Sequence, residues 1–247
     1  MSQSSRVRFR TAGYVLVLLC LSMLPFVLAS RSPRALDALT AEKTIRGQEV
    51  EGPVDTATAL VLTGGSAIAG AAFLRIRLQR GQWRWFWLGY AVLLLVCAAE
   101  ESDWLHVLLN HNADVFGNHI GSLHDLVSKV TSRSRAGAPD YVASAPLVWA
   151  GLTLLLMLLG HALWRVQRST PGLDWDVIGL MLLGVLLGTI GLLIDADVLP
   201  KPSGIEWKAH IEEPLEAVGA LSLALASMEG FIRIRGESGP RVVHERR

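Results

Sequence analysis

The chain has 247 residues, of which 51% are hydrophobic and 18% charged, with a formal net charge of +1 and a mean hydropathy of +0.39. Soluble domains carry about 25% charge, so the composition argues against a water-soluble globular domain, and the near-zero net charge argues against nucleic acid as a partner. The two cysteines, Cys20 and Cys97, sit inside apolar runs; no CxxC occurs and no disulfide framework is present.

Six apolar segments reach or approach the roughly 20 residues needed to cross a hydrocarbon core. The first, 11–30, follows Arg6, Arg8 and Arg10. It ends in Val27-Leu28-Ala29, which resembles a signal-peptidase site. Cleavage there would leave five spans without inverting the others. The apolar run is long for a leader, so an uncleaved anchor is the reading adopted. A loop of alternating charge covers 31–55, with 41–50 predicted helical. The second span, 57–76, contains Gly64-Gly65, read as packing. Arg75, Arg77, Arg80 and Arg84 follow, and Trp83, Trp85 and Trp87 suit an interfacial aromatic belt.

The third span, 85–104, closes on Glu100, Glu101 and Asp103, with His106 just beyond. Ile120, Leu123, Val127 and Val130 then recur at helical spacing, with His119, Ser122, His124 and Asp125 between them. That pattern predicts a short helix lying in the membrane interface, apolar side down. The fourth span, 143–165, carries His161 near its end and is followed by Arg168. The fifth, 177–195, places Gly184, Gly188 and Gly191 on one face leading to Asp195. The sixth, 214–232, opens after Glu212 and Glu213 and holds Glu216 about one turn inside. These three glutamates share an arc of about 100° that continues to Gly219, Ala220 and Leu223. Small residues mark close helix contact in membranes, so Glu216 is expected to point into the bundle. The tail, 236–247, reads as disordered and cytoplasmic.

Arginines dominate alternate loops and both termini. The positive-inside rule therefore puts both termini in the cytoplasm of a multi-pass cell-membrane protein. The fold class is all-α: one polytopic transmembrane helix bundle over 1–235, with about six spans and a short interfacial helix in an outer loop. The inner halves of the spans read as lacking polar residues, apart from small ones such as Ser66, Thr189 and Ser222. No continuous polar path crosses the bilayer on this reading, which argues against a full transporter.

In this topology the third, fifth and sixth spans bring their acids to one depth, the non-cytoplasmic rim. Glu100, Asp103, His119, His124, Asp195 and Glu216 are the candidate metal ligands. Glu101, His106, Glu212 and Glu213 are secondary candidates. Clustered carboxylates cannot all stay ionised without a counter-charge. They could share protons, pair with Lys201, Lys208 or a histidine, or bind a divalent metal. Carboxylate with histidine suits zinc, manganese or iron, and carboxylate alone suits calcium or magnesium. The mixture does not choose the cofactor, and no HExxH motif is present.

Ala99-Glu100-Glu101-Ser102-Asp103-Trp104, Gly117-Asn118-His119-Ile120-Gly121-Ser122-Leu123-His124-Asp125 and Glu212-Glu213-Pro214-Leu215-Glu216 resemble motifs of a group of bacterial multi-pass membrane proteins. Those carry a Glu-Glu-x-x-Trp-type motif, a Leu-His-Asn-type motif and a late Glu-Glu-x-x-Glu helix start. Here Asp103 precedes the tryptophan and Asp125 replaces the asparagine. The resemblance covers the third span onward, implies a bacterial inner membrane and implies no activity. Similarity to ceramidase-like zinc hydrolases is superficial, because their paired-histidine helix is missing.

Three functions follow as expectations: a metal-dependent membrane enzyme acting on a lipid or envelope substrate, a non-catalytic cation or proton sensor, or a structural subunit. The catalytic residues are unknown. The lipid bilayer is the expected partner, and small-residue helix faces would serve a homo-oligomer or a membrane partner.

Overall fold

The structure is a computed structural model that describes residues 3–32, 34, 43–45, 48–50, 52–81, 85–101, 113–115, 118–120, 145–195 and 211–236. Among the described residues six long helices carry the fold: α1 (Gln3–Arg31), α2 (Pro53–Arg80), α3 (Trp85–Glu101), α4 (Ala145–Gln167), α5 (Trp175–Asp195) and α6 (Glu212–Gly236). Two short antiparallel hairpins join them, β1 (Lys43–Ile45) with β2 (Gln48–Val50) and β3 (Ala113–Val115) with β4 (Asn118–Ile120).

Stretches within α2, α4, α5 and α6 are long and apolar enough to cross a membrane, while α1 and α3 hold shorter apolar stretches, Arg10–Pro25 and Trp85–Ala99. Leu154, Met157 and Leu158 on α4 and Val92, Leu93 and Val96 on α3 are exposed. Contiguous apolar surface of that kind is unfavourable in water and fits lipid. The chain is a helical membrane protein.

Helix limits follow backbone chemistry more closely than hydropathy. Pro53 opens α2, four residues before the predicted span, because its fixed φ suits a first helical position. The Asp55 carboxylate accepts the Gly52 N–H at 3.1 Å. The helix stops at Gly81, whose φ of 63° is left-handed and whose N–H bonds the Arg77 carbonyl at 3.1 Å.

The helix expected over 41–50 is not formed. Thr44, Ile45 and Val50 are β-branched and lie in the antiparallel pair β1–β2. His119 and Ile120, the first residues of the expected interfacial helix, lie in β4. The remainder of that helix, and the tail from residue 237, lie outside the described residues.

Helix α6 is the axis of the bundle. It packs along α5 on one side and α2 on the other, α3 packs on α2, and α1 and α4 lie at the periphery. Hydroxyls tie the layers together. Ser66 Oγ donates to the Ala91 carbonyl at 2.8 Å, Ser222 Oγ to the Leu180 carbonyl at 2.8 Å, and Tyr90 Oη to the Leu223 carbonyl at 2.9 Å. Such interhelical bonds contribute about 0.6 kcal/mol each. Chain direction gives the bundle two ends. One, the carboxylate end, holds the start of α6 and the ends of α3 and α5. The other, the arginine end, holds the start of α1, the end of α2, the start of α3, the α4–α5 connection and the end of α6.

Candidate functional site

At the carboxylate end the predicted packing face is present. A methyl group added at Gly219 would lie 2.9 Å from the Gly184 carbonyl oxygen, and one added at Gly184 would lie 2.6 Å from Leu223 Cγ. Helices α5 and α6 therefore touch backbone to backbone, as small-residue faces allow. One step further along, a methyl at Gly191 would lie 2.6 Å from Glu216 Cγ and 3.0 Å from Glu216 Oε1. The Glu216 side chain lies across Gly191, in the seam between the two helices.

Contacts also fix the relative depth of the helix ends. Gly65, Leu94 and Ala224 meet at one level. Counting at about 1.5 Å per residue, Glu101 on α3 stands level with the first turns of α6. Gly191 beside Glu216 likewise brings Asp195, the last residue of α5, to the level of Glu212. Glu101, Glu212, Glu213 and Glu216 are all partly buried. Glu100 and Asp195 are placed by their helices alone. Asp103, His106 and His124 lie outside the described residues, and His119 is paired in register with Asp114 across the β3–β4 hairpin. Among the described residues no group of three or more His, Cys, Asp or Glu is arranged to hold a metal ion.

The arginine end holds a second charged centre that hydropathy concealed. Glu229, in the last two turns of α6, is 0% exposed. The expectation that the inner halves of the spans carry only small polar groups is therefore wrong for α6. Arg10 of α1 donates to Glu229 Oε2 at 2.6 Å. Arg233, one turn on, has its Nε 3.7 Å from the same oxygen. Arg233 also pairs with Asp174 and, at 2.9 Å, with Asp176.

Local chemistry builds this centre. Asp174 precedes α5, and its Oδ1 accepts the N–H groups of Asp176 and Val177, each at 3.2 Å, capping the helix start. Its other oxygen faces Arg233. One carboxylate thus caps one helix and anchors another. Gly172, just before it, has φ of 74° and faces the Gly230 carbonyl and Ile234. A side chain there would be strained and would also collide with α6.

Trp87 fills the space beside this network. It is fully buried against Gly230, where a methyl group would overlap the ring, and its Nε1 donates to the Pro171 carbonyl at 3.0 Å. Its expected place in an aromatic belt is corrected. Residues 85 and 87 are about 200° apart on a helix, so only one of them can face outward. Trp85 does, at 62% exposure. His161 is exposed on α4 beside the Trp164 ring, 5.5 Å between centroids, and Arg168 lies 5.0 Å over that ring.

A signal for the arginine-end network was present in the sequence. Glu229 is an acid inside an apolar run with arginine four residues later, and intramembrane acids are functional candidates by default. The partners on α1 and before α5 are remote in sequence and required coordinates. No family model, curated protein or solved structure matches the chain.

Proposed function

We propose that this chain is a multi-pass protein of a bacterial inner membrane, with both termini cytoplasmic, that binds a divalent cation through carboxylates at its non-cytoplasmic rim. The observation that carries the reading is Glu216 lying over Gly191 in the α5–α6 seam. A carboxylate held between helices, about one turn inside a span, is positioned to strip water from a cation. The levels of Glu101, Glu212 and Asp195 supply further oxygen donors at that depth, and all-oxygen sites suit calcium or magnesium.

Orientation is supported by charge. Arg77, Arg165, Arg168, Arg233 and Arg235 all belong to the arginine end, which the positive-inside rule assigns to the cytoplasm. The motif resemblance to a bacterial multi-pass group agrees with this placement and adds no activity. Cation binding without catalysis is preferred because it asks only for carboxylates at one depth, and Glu216 and Glu212 share that depth on α6. Hydrolysis of a lipid or envelope substrate would also require His119 and His124 as ligands or acid–base groups.

Elemental analysis of detergent-purified protein tests the reading. Wild type is expected to retain about one equivalent of divalent metal, and Glu216→Gln and Glu101→Gln are each expected to lose it, since a neutral amide is a poor substitute for an anionic ligand. Equally negligible metal in all three proteins would remove the cation site.

A further inference from the structure

We infer that α1 is a retained span of the working protein, docked on the rest of the bundle by the Arg10 guanidinium against the buried Glu229 carboxylate. The Val27-Leu28-Ala29 sequence would permit removal of everything before residue 30, Arg10 included. Two independent observations argue that the working protein keeps it.

The first is the charge balance around Glu229. Three carboxylates, Asp174, Asp176 and Glu229, face two guanidinium groups, Arg10 and Arg233. Arg233 is already engaged by both aspartates. Arg10 makes the short bond to Glu229, and it comes from α1. Without α1, Glu229 would lose its short ion pair and the helix beside it, and would keep only the shared Arg233 at 3.7 Å. Removing one partner of a buried pair leaves an uncompensated charge, the costly case.

The second is the pattern of burial along α1. Thr11, Leu18, Ser22 and Pro25 are buried, while Leu16, Val17, Leu19, Met23 and Leu24 are exposed. Spacings of seven, four and three residues make the buried set one helical face. That face lies against α6 and, to a lesser extent, α5. The exposed set faces the other way, as it would toward lipid.

The two partners are not equivalent. The Glu229 side chain is 0% exposed and that of Arg10 37%. Arg10 freed from its partner can reach water along its aliphatic stem, but Glu229 freed from its partner cannot. Arg10→Gln should therefore harm the protein more than Glu229→Gln, and the double variant should recover part of what Arg10→Gln loses.

The test uses the full chain purified through a C-terminal tag, with intact mass and the thermal midpoint in detergent as readouts. Wild type is expected to retain the mass of the entire 26.8 kDa chain plus tag. Arg10→Gln is expected to lower the midpoint most, with the double variant lying closer to wild type. A mature protein lacking residues 1–29 would overturn the inference, even if no variant can be purified. A double variant no more stable than Arg10→Gln would overturn it as well. Neither readout depends on metal, so the result is separate from the rim-site experiment.

Discussion

Trp87 and Gly230 form one unit: the indole occupies the volume that any side chain at 230 would need. Gly230→Ala should therefore lower stability by about 1–3 kcal/mol, the usual cost of overpacking a rigid contact. Gly70→Ala on α2 is the matched control, since a methyl there meets nothing within 4 Å. It should be neutral or slightly stabilising, because alanine loses less backbone freedom in a helix. Thermal unfolding in one detergent distinguishes them, and equal losses would mean that the Trp87 contact is not what constrains residue 230. Tyr90→Phe, which removes the bond to the Leu223 carbonyl, should cost only about 0.6 kcal/mol. None of this was legible residue by residue. Trp87 reads in sequence as one of three neighbouring tryptophans suited to headgroups, and only its angular separation from Trp85 hints that one of the pair turns inward.

Helices α5 and α6 were the most legible pair. Gly184-x-x-x-Gly188 and the arc of Glu212, Glu213, Glu216 and Gly219 identify contact faces from spacing alone, and those faces meet. Spacing could not say which glycines are indispensable. Gly184 faces Leu223 and the Gly219 carbonyl, whereas a methyl at Gly188 meets nothing within 4 Å. Gly184→Ala is accordingly expected to cost about 1–3 kcal/mol, and Gly188→Ala to stay within about 0.5 kcal/mol of wild type. If the two substitutions behave alike in a detergent melt, the close approach at Gly184 is not what holds the pair. The same glycine pair shows why Gly64-Gly65 was only half right: Gly65 meets Ala224 and Leu94, and Gly64 meets nothing within 4 Å.

For the molecule as a whole, apolar run length was enough to locate the six long helices among the described residues, because lipid requires long, internally hydrogen-bonded segments. It did not locate the strand pairs β1–β2 and β3–β4, whose three-residue strands are too short to leave an apolar run and include the β-branched Thr44, Ile45, Val50, Val115 and Ile120. The carboxylate end was legible because its acids sit at span limits, whereas the arginine end was hidden because its partners come from three separate stretches of chain. Reporter fusions check the proposed orientation: a reporter active only in the cytoplasm should be active after residue 236 and silent when inserted between residues 31 and 52. The opposite pattern would place the carboxylate end in the cytoplasm.

Helix α6 runs from Glu216 in the α5 seam to Glu229 beside Arg10 without a break. Thirteen residues of continuous helix between those side chains amount to a stiff strut of roughly 20 Å. A strut of that kind cannot shift at one end in isolation. A slide or rotation of its first turns is therefore expected to be felt at the Arg10–Glu229 pair, which clasps the N-terminal segment at the other end of the bundle.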